Sequence, residues 1–241
     1  MNERATVAGR VVITGVSRGI GRATALALAQ QDYQIIGCAR GRDDLEVLSQ
    51  ALVELGSNRD PAVQHLLETR DLARQVEVEA FAKTCSALRG GGVDVLVHNL
   101  GIWSPVRVLD TAAKEMQQLM QINVYTAAEL TRLLLPTLKA GAKLVFVNSV
   151  AGIKAYPQGG AYTVTKHALL GLARALQLEL RDSDISVTSI FPGPVATSSW
   201  TAEALAVTPH VSAEDVARAV VAIAGMDSRT EVHEIHLGPR A

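Results

Sequence analysis

Two side chains four residues apart could together move a proton. Tyr162 and Lys166 bracket the segment YTVTK. On a helix, residues at this spacing lie on one face, so the phenol and the ammonium can project into the same site. An unperturbed tyrosine has a pKa of about 10, and a nearby cation lowers that pKa because it favours the phenolate. The pair therefore predicts acid–base chemistry, although the same spacing is common by chance.

A glycine-rich segment near the N-terminus could hold phosphate groups. Residues 14–21 read TGVSRGIG and lie between an apolar run and a stretch rich in Ala and Leu. Gly15 would permit a tight turn, Gly19 a close approach of the backbone to a pyrophosphate, and Gly21 close packing of a helix on a sheet. The N-terminus of that helix would offer free N–H groups to the phosphates. The glycines alone are a weak signal, and their position between strand and helix strengthens it.

These motifs need a scaffold, and the chain alternates short apolar runs with long helical patterns. Near-continuous apolar runs are typical of strands buried on both faces of a parallel sheet. We predict an α/β single-domain Rossmann fold over residues 1–241, a doubly wound parallel seven-stranded sheet with helices on both faces. Ligands of such sheets bind beyond the carboxyl ends of the strands, where the motifs fall. The predicted strands are Arg10–Thr14, Gln34–Ala39, Gln64–Arg70, Val93–Asn99, Lys143–Ser149, Ile185–Phe191 and Val232–Leu237, and the predicted helices are Gly21–Gln31, Asp44–Gly56, Leu72–Leu88, Ala112–Leu138, Ala161–Leu180 and Ala213–Gly225.

Composition and charge argue against several classes of function. The formal net charge of the 241 residues is -1, which gives no electrostatic reason to expect nucleic acid or an anionic membrane as partner. We see no pattern of a signal peptide or a transmembrane helix and expect a cytoplasmic protein. Cys38 and Cys85 are interpreted as reduced core residues. The histidines form no metal-binding motif, so we expect no metal.

The glycine spacing resembles that of the short-chain dehydrogenase/reductase family. Residues 14–21 match its signature TGxxxGIG at every fixed position, and the resemblance extends over essentially the whole chain. The fourth predicted strand ends in HNLG, which is similar to the family's NNAG. His98 and Leu100 depart from that pattern, whereas Asn99 and Gly101 are retained. The resemblance implies that a nicotinamide dinucleotide is bound at Gly15, Ser17, Arg18, Gly19, Ile20 and Gly21.

The resemblance also implies a catalytic set of four residues. Ser149, at the end of the fifth predicted strand, matches the serine that holds the substrate oxygen while charge develops there. Asn123 matches the residue expected to hold a water and to support a proton relay to Lys166. In the implied reaction NADPH delivers hydride to a carbonyl carbon and Tyr162 donates the proton. Lys166 would lower the pKa of Tyr162 and bind the nicotinamide ribose.

The end of the second predicted strand favours NADP(H) over NAD(H). An acid there would bind the adenosine ribose of NAD and repel a 2′-phosphate, and this chain has Ala39 followed by Arg40. Arg18 is a second guanidinium that could reach the phosphate, although both arginines could be ordinary solvated charges. Asp43 and Asp44 are interpreted as residues of the first turn of a helix.

Further cofactor contacts follow from the resemblance. Asp71 matches an acid that contacts the adenine, and it could equally cap a helix. The segment FPGPVAT, after the sixth predicted strand, resembles the family's PG segment, which borders the nicotinamide. The additional residues assigned to the cofactor are Asp71, Leu72, Asn99, Gly101, Tyr162, Lys166, Pro192, Gly193, Val195 and Thr197.

The predicted substrate is a small-molecule carbonyl or alcohol compound that contacts Ser149. Trp103, Tyr156 and Trp200 are candidates for the pocket wall, and each could instead cover the core or a subunit contact. A 3-oxoacyl thioester, a diketone and an aldehyde remain open as substrates. A homo-oligomer, either dimer or tetramer, is a family-level expectation. Apolar positions that could pack against a partner or against the sheet are Leu169, Leu172 and Leu176.

Two rival functions would also use a dinucleotide site. An NADP-binding redox sensor without turnover would be expected to lose one or more of the Ser–Tyr–Lys groups, and this chain keeps them. An NAD-linked alcohol dehydrogenase is disfavoured by Ala39 and Arg40. Cofactor titration separates this second rival from an NADP-dependent enzyme.

Overall fold

The fold is a parallel sheet of seven strands with helices between them. The computed structural model describes residues 8–56, 64–88, 91–156, 159–197 and 209–240. The strands are β1 (Gly9–Thr14), β2 (Tyr33–Ala39), β3 (Leu66–Thr69), β4 (Val93–His98), β5 (Leu138–Val147), β6 (Ser186–Pro192) and β7 (Glu234–Leu237). The helices are α1 (Gly19–Ala29), α2 (Arg42–Gly56), α3 (Gln75–Ala87), α4 (Ala113–Met120), α5 (Thr126–Leu134), α6 (Gly160–Glu179) and α7 (Ala213–Ala224).

The strand order confirms the doubly wound sheet that the sequence predicts. The order is β3-β2-β1-β4-β5-β6-β7, and every pairing is parallel. The chain reverses its direction of travel across the sheet between β1 and β4. The carboxyl ends of neighbouring strands diverge at such a switch point and leave a crevice in which a ligand can bind.

Successive residues of the central strand β1 pack into two different apolar clusters. Val11 and Ile13 lie in the cluster that α1, α2 and α7 cover, whereas Val12 lies in the cluster that α3, α5 and α6 cover. Side chains alternate between the two faces of a strand, and helices bury both faces here. This double burial is why the strands read as nearly continuous apolar runs in the sequence.

The predicted helix Ala112–Leu138 is wrong at its centre and at its end. Helices α4 and α5 are joined by a π-helical turn, Gln121–Tyr125, in which the Thr126 N–H donates to the Gln121 carbonyl. The Thr126 hydroxyl also donates to that carbonyl, at 2.9 Å, and lies 2.8 Å from the Leu72 carbonyl. Leu138 begins β5, where it pairs with Val93 beside an irregularity of the register. A short 3₁₀ turn, Leu135–Thr137, lies between α5 and β5, so the α-helix ends earlier than the pattern predicts.

The three leucines considered for a subunit contact pack towards the sheet. Leu169 is buried in the cluster beneath α6, and Leu172 and Leu176 pack against that same cluster. Cys38 and Cys85 are free and buried in it as well. Within the described residues, no helix has the length and apolarity needed to cross a bilayer, and no group of His, Cys, Asp and Glu is arranged to hold a metal ion.

Candidate active site

A cleft of about 1140 Å³ runs along the carboxyl ends of the strands. It brings together residues that are far apart in the sequence, from the glycine segment after β1 to the segment after β6. Two predicted site residues, Gly21 and Asn123, lie behind its wall. The predicted site residues that line the cleft are Gly15, Ser17, Arg18, Gly19, Ile20, Arg40, Asp71, Leu72, Asn99, Gly101, Trp103, Ser149, Tyr156, Tyr162, Lys166, Pro192, Gly193, Val195 and Thr197.

The turn between β1 and α1 is fixed by close backbone packing. Gly15 and Gly19 have backbone φ angles of +67° and +51°, which residues other than glycine rarely adopt. A Cβ on Gly21 would lie 2.2 Å from the Gly15 carbonyl oxygen, so the helix can begin this close to the turn only without a side chain there. The Asn99 amide donates to the carbonyls of Thr14 and Gly15, at 3.0 and 2.9 Å. These bonds tie the end of β4 to the turn and leave the N–H groups at the start of α1 available to an anion.

The adenosine end of the cleft, as the sequence predicts it, is lined by exposed charges. Arg40 is exposed and follows Ala39 at the end of β2. The side chain of Arg18 is 64% exposed, and its guanidinium lies 2.5 Å from a carboxylate oxygen of Asp44 on α2. This pairing raises the pKa of Arg18. Asp44 is therefore a first-turn residue of α2, as expected, and also the partner of a predicted phosphate ligand.

Asp71 closes the turn after β3. Its carboxylate accepts a hydrogen bond from the Ala73 N–H at 3.2 Å, and its carbonyl accepts one from Arg74. Helix α3 begins at Gln75, so Asp71 does not cap it and that alternative is wrong. The side chain lines the cleft, which leaves the predicted contact with an adenine sterically open.

The catalytic end of the cleft, named for the four predicted residues there, is buried. Lys166 is 3% exposed, and its ammonium donates to the Val147 carbonyl at 3.1 Å. The same ammonium lies 5.6 Å from the centre of the Tyr162 ring. Ser149 follows β5 directly, and its hydroxyl accepts a hydrogen bond from the Ala151 N–H at 3.1 Å. Strand β5 and helix α6 thus hold the serine, tyrosine and lysine at one end of the cleft.

Burial controls both titrating groups of this end. It raises the pKa of Tyr162 to about 12, and a hydrogen bond with Ser149 partly opposes that shift. It lowers the pKa of Lys166 to about 8. The pKa of Tyr162 therefore lies above its usual value, opposite to the direction expected from a nearby cation. A low-dielectric environment disfavours the phenolate, and the desolvated lysine also tends to lose its own charge.

Asn123 lies in the π-helical turn and supports the loop after β4. Its side chain accepts from the Ile102 N–H at 2.8 Å and donates to the Ile102 carbonyl at 2.9 Å. It also donates to the Thr165 hydroxyl at 2.9 Å, and that hydroxyl donates to the Tyr162 carbonyl at 2.8 Å. Both amide hydrogens of Asn123 are thereby used within the protein. The side chain fixes the loop against α6, a positioning role that the sequence pattern does not reveal.

Known proteins are similar to this chain in sequence and in architecture. The family model for short chain dehydrogenases matches residues 9–206. The chain belongs to the short-chain dehydrogenase/reductase family. Members of this family are NAD(P)-dependent oxidoreductases.

Two relatives and one solved structure of this family illustrate the likeness. The chain is 32% identical to a farnesol dehydrogenase of Aedes aegypti over 243 residues, which cover 96% of each protein. It is 33% identical to an NADPH-dependent pterin aldehyde reductase of Arabidopsis thaliana, over 79% of this chain and 76% of that one. The structure of an alcohol dehydrogenase from the archaeon Thermococcus sibiricus, complexed with 5-hydroxy-NADP, superposes with a TM-score of 0.83 at 29% identity and covers 95% of each chain. The chain spans 57% to 58% of the length of some other matched relatives.

The residues present fit the dinucleotide that this short-chain dehydrogenase/reductase family uses. The missing side chain of Gly21 keeps the helix close to the turn, and no acidic side chain precedes Arg40 at the end of β2. The methyl carbon of Thr197 lies 3.0 Å from where a Cβ of Gly19 would be, so the segment after β6 covers the glycine turn. The glycine segment and the start of α1 would hold the pyrophosphate.

Both departures from the family's NNAG element have a structural explanation. The His98 ring is buried, hydrogen-bonds the Thr131 hydroxyl at 2.7 Å and lies against Phe146. Burial lowers the pKa of His98 to about 3, so the ring is neutral. Leu100 donates its N–H to the Thr14 hydroxyl at 3.0 Å and packs against an apolar cluster. Neither change disturbs the bonds that Asn99 makes.

The part of the cleft predicted to face the substrate has exposed aromatic side chains. Trp103 and Tyr156 are 58% and 44% exposed at its mouth. Gly159 lies beneath Trp103, because a Cβ there would lie 3.6 Å from the indole nitrogen. Trp200, the third predicted aromatic contact, lies outside the described residues.

Proposed function

We propose that the protein is an NADP(H)-dependent reductase of aldehydes or ketones that also runs as an alcohol dehydrogenase. The observation that carries this proposal is the placement of Ser149, Tyr162 and Lys166 in the same cleft as the glycine turn. A chain that only sensed the dinucleotide would have no need of this buried acid–base group, so we do not favour the sensor alternative.

The chain's own residues would hold the carbonyl oxygen and supply its proton. Ser149 would donate a hydrogen bond to that oxygen and support the negative charge that develops on it. Tyr162 keeps its proton at neutral pH because burial raises its pKa to about 12, and it would give that proton to the same oxygen. Lys166 would bind the nicotinamide ribose and assist reprotonation of the phenolate. A bound NADPH would supply the hydride.

The charges of the adenosine end support NADP(H) over NAD(H). Arg40 is exposed beside Ala39, and Arg18 reaches the same part of the cleft. Two guanidinium groups suit a phosphate dianion because they form charge-assisted, bidentate hydrogen bonds. The relative named an NADPH-dependent pterin aldehyde reductase and the structural neighbour complexed with 5-hydroxy-NADP are consistent with this choice.

The mouth of the cleft favours a neutral, largely apolar alcohol or aldehyde. Trp103 and Tyr156 line the cleft and supply exposed apolar surface there. Ile153 and Lys154 are exposed on the segment that precedes Tyr156. The likeness to a farnesol dehydrogenase fits such a substrate. A 3-oxoacyl thioester is the second candidate, because Lys154 could pair with an anionic carrier.

We also propose that the protein self-associates, with Tyr125, Val164 and Leu178 as exposed apolar positions.

A cofactor and substrate panel tests this proposal. Oxidation of NADPH is followed with aliphatic and isoprenoid aldehydes, ketones, diketones and 3-oxoacyl thioesters, and each assay is repeated with NADH. We expect turnover with NADPH, and we expect Tyr162→Phe to lower kcat by about 10²- to 10⁴-fold while NADPH binding stays within about two-fold. Tyr33→Phe is the matched control, because it removes a hydroxyl that donates to the Ala224 carbonyl, and neither residue lines the cleft. Substantial activity in Tyr162→Phe would overturn the role given to the tyrosine.

A further inference from the structure

Arg18, which we propose to bind the 2′-phosphate of NADP(H), is paired with an acidic side chain of the protein. Two nitrogens of Arg18 contact one carboxylate oxygen of Asp44, at 2.7 and 2.5 Å. Arg18 stands at the start of α1 and Asp44 in the first turn of α2, so the pair spans the gap between two elements that line the cleft. Arg40 and Gly41 line the same part of it.

Asp44 is the better anchored partner of this pair. Its side chain is 32% exposed, against 64% for Arg18. The carboxylate lies over the backbone of Gly41, where a Cβ would be 2.7 Å from its oxygen. It also stands near the N-terminus of α2, whose free N–H groups favour a negative charge. The long Arg18 side chain can turn towards a ligand, whereas the shorter Asp44 side chain stays close to the backbone of Gly41.

We propose that Asp44 is a specificity-determining residue that competes with the 2′-phosphate of NADP(H) for Arg18. This inference rests on the proposed use of NADP(H). A 2′-phosphate that binds beside Arg40 must either displace Asp44 from Arg18 or share Arg18 with it. If Arg18 is shared, the negative phosphate and the negative Asp44 carboxylate lie close together. NADH has no 2′-phosphate and leaves the pair intact. Asp44 therefore weakens the binding of NADPH and narrows the preference for NADP(H) over NAD(H).

The competition has a modest expected size, because both groups are partly in water. Exposed ion pairs contribute little to an equilibrium, and removing one shifts it by up to about five-fold. Loss of the like charge beside the phosphate adds to that shift. We expect Asp44→Asn to tighten NADPH binding by about three- to ten-fold and to change NADH binding by less than about two-fold.

The test compares dissociation constants of NADPH and NADH for the full chain by titration calorimetry. The variants are Asp44→Asn, Arg18→Gln and the double variant, and Asp43→Asn is the matched control because that exposed acid precedes Asp44 in the same turn. We expect the control to stay within about two-fold of wild type. In the Arg18→Gln background the gain from Asp44→Asn should shrink to less than about two-fold.

Each outcome decides one of the two proposals. Unchanged or weaker NADPH binding in Asp44→Asn overturns the inference, and so does a gain that persists undiminished in the Arg18→Gln background. A gain in the control equal to that of Asp44→Asn overturns it as well, because any acid would then do the same. If the wild type binds NADH as tightly as NADPH, the proposed choice of cofactor fails, and that result comes from a different comparison.

Discussion

The two ends of the cleft hold their polar groups in different ways. At the catalytic end, Lys166 and Asn123 are 3% and 1% exposed and bond to neighbouring carbonyls and hydroxyls. At the adenosine end, Arg18 and Arg40 extend into solvent, and Arg18 pairs with Asp44. The geometry of the first end is a product of the folded core. The affinity of the second end depends on surface charges, which substitutions can alter with little effect on stability.

The largest expected effect comes from a substitution in the glycine turn between β1 and α1. Gly21→Ala places a Cβ 2.2 Å from the Gly15 carbonyl oxygen and 2.6 Å from the Asn99 amide nitrogen. The turn must shift and lose the geometry that we propose for binding the pyrophosphate, and each charged hydrogen bond contributes about 1.5 to 3 kcal/mol. We expect both dinucleotides to bind at least about 100-fold more weakly in a fluorescence titration.

Gly171→Ala is the control for that substitution. Gly171 lies in α6, and beyond its own helical backbone no described residue has an atom within 4 Å of an added Cβ. Alanine should therefore raise the free energy of unfolding by up to about 1 kcal/mol and leave binding unchanged. Normal dinucleotide affinity in Gly21→Ala would show that the turn tolerates a side chain.

The buried lysine predicts a pH dependence of stability at the catalytic end. Its pKa of about 8 lies below that of an exposed lysine, so between pH 8 and 9.5 the unfolded chain keeps a proton that the folded chain releases. The free energy of unfolding therefore rises with pH in this window. In urea denaturation, we expect the free energy of unfolding of the wild type minus that of Lys166→Met to rise by on the order of 1 to 2 kcal/mol across this window. A difference that stays constant across the window would contradict the lowered pKa.

A single charge should matter at the adenosine end without changing the fold. Arg40→Ala is expected to weaken NADPH binding by about ten-fold, because a charge-assisted bond to the phosphate is lost, and to leave NADH binding within about two-fold. Arg132→Ala removes an equal charge that pairs with Glu129 on α5, and it should change neither affinity. An equal loss for both dinucleotides in Arg40→Ala would mean that Arg40 does not bind the 2′-phosphate.

The smallest expected effect tests the support behind the catalytic end. Thr165→Val removes the hydroxyl that joins the Asn123 amide to the Tyr162 carbonyl, and Thr165→Ser keeps it. We expect kcat to fall about three- to ten-fold in the valine variant, with KM and NADPH affinity nearly unchanged and most of kcat regained in the serine variant. Equal losses in both variants would assign the effect to packing around residue 165 and not to the hydrogen bonds of its hydroxyl.

Much of this molecule could be predicted from local sequence. All seven predicted strands exist, because burial on both faces requires long apolar runs. The glycines of the turn were identified because positive φ and close backbone contact demand that residue. Helical periodicity predicts that Tyr162 and Lys166 lie on one face of their helix, because they are four residues apart.

The errors and omissions depend on contacts between distant segments. The direction of the Tyr162 pKa shift reflects burial by several elements, which no motif encodes. The engagement of Arg18 by Asp44 needs two helices to be placed side by side. Leu138 becomes a strand residue because Val93 lies beside it.

The π-helical turn sets the rotational phase of the helical segments on either side of it. Each residue of an α-helix turns the chain by about 100°, so the extra residue between Gln121 and Tyr125 rotates α4 relative to α5 by about that angle. Deleting one residue of the turn other than Asn123 would restore a regular helix and move Asn123 away from Ile102, even though every side chain of the site is retained. In an insertion–deletion scan, this short stretch should be intolerant of a change in length at positions where it accepts a change of residue.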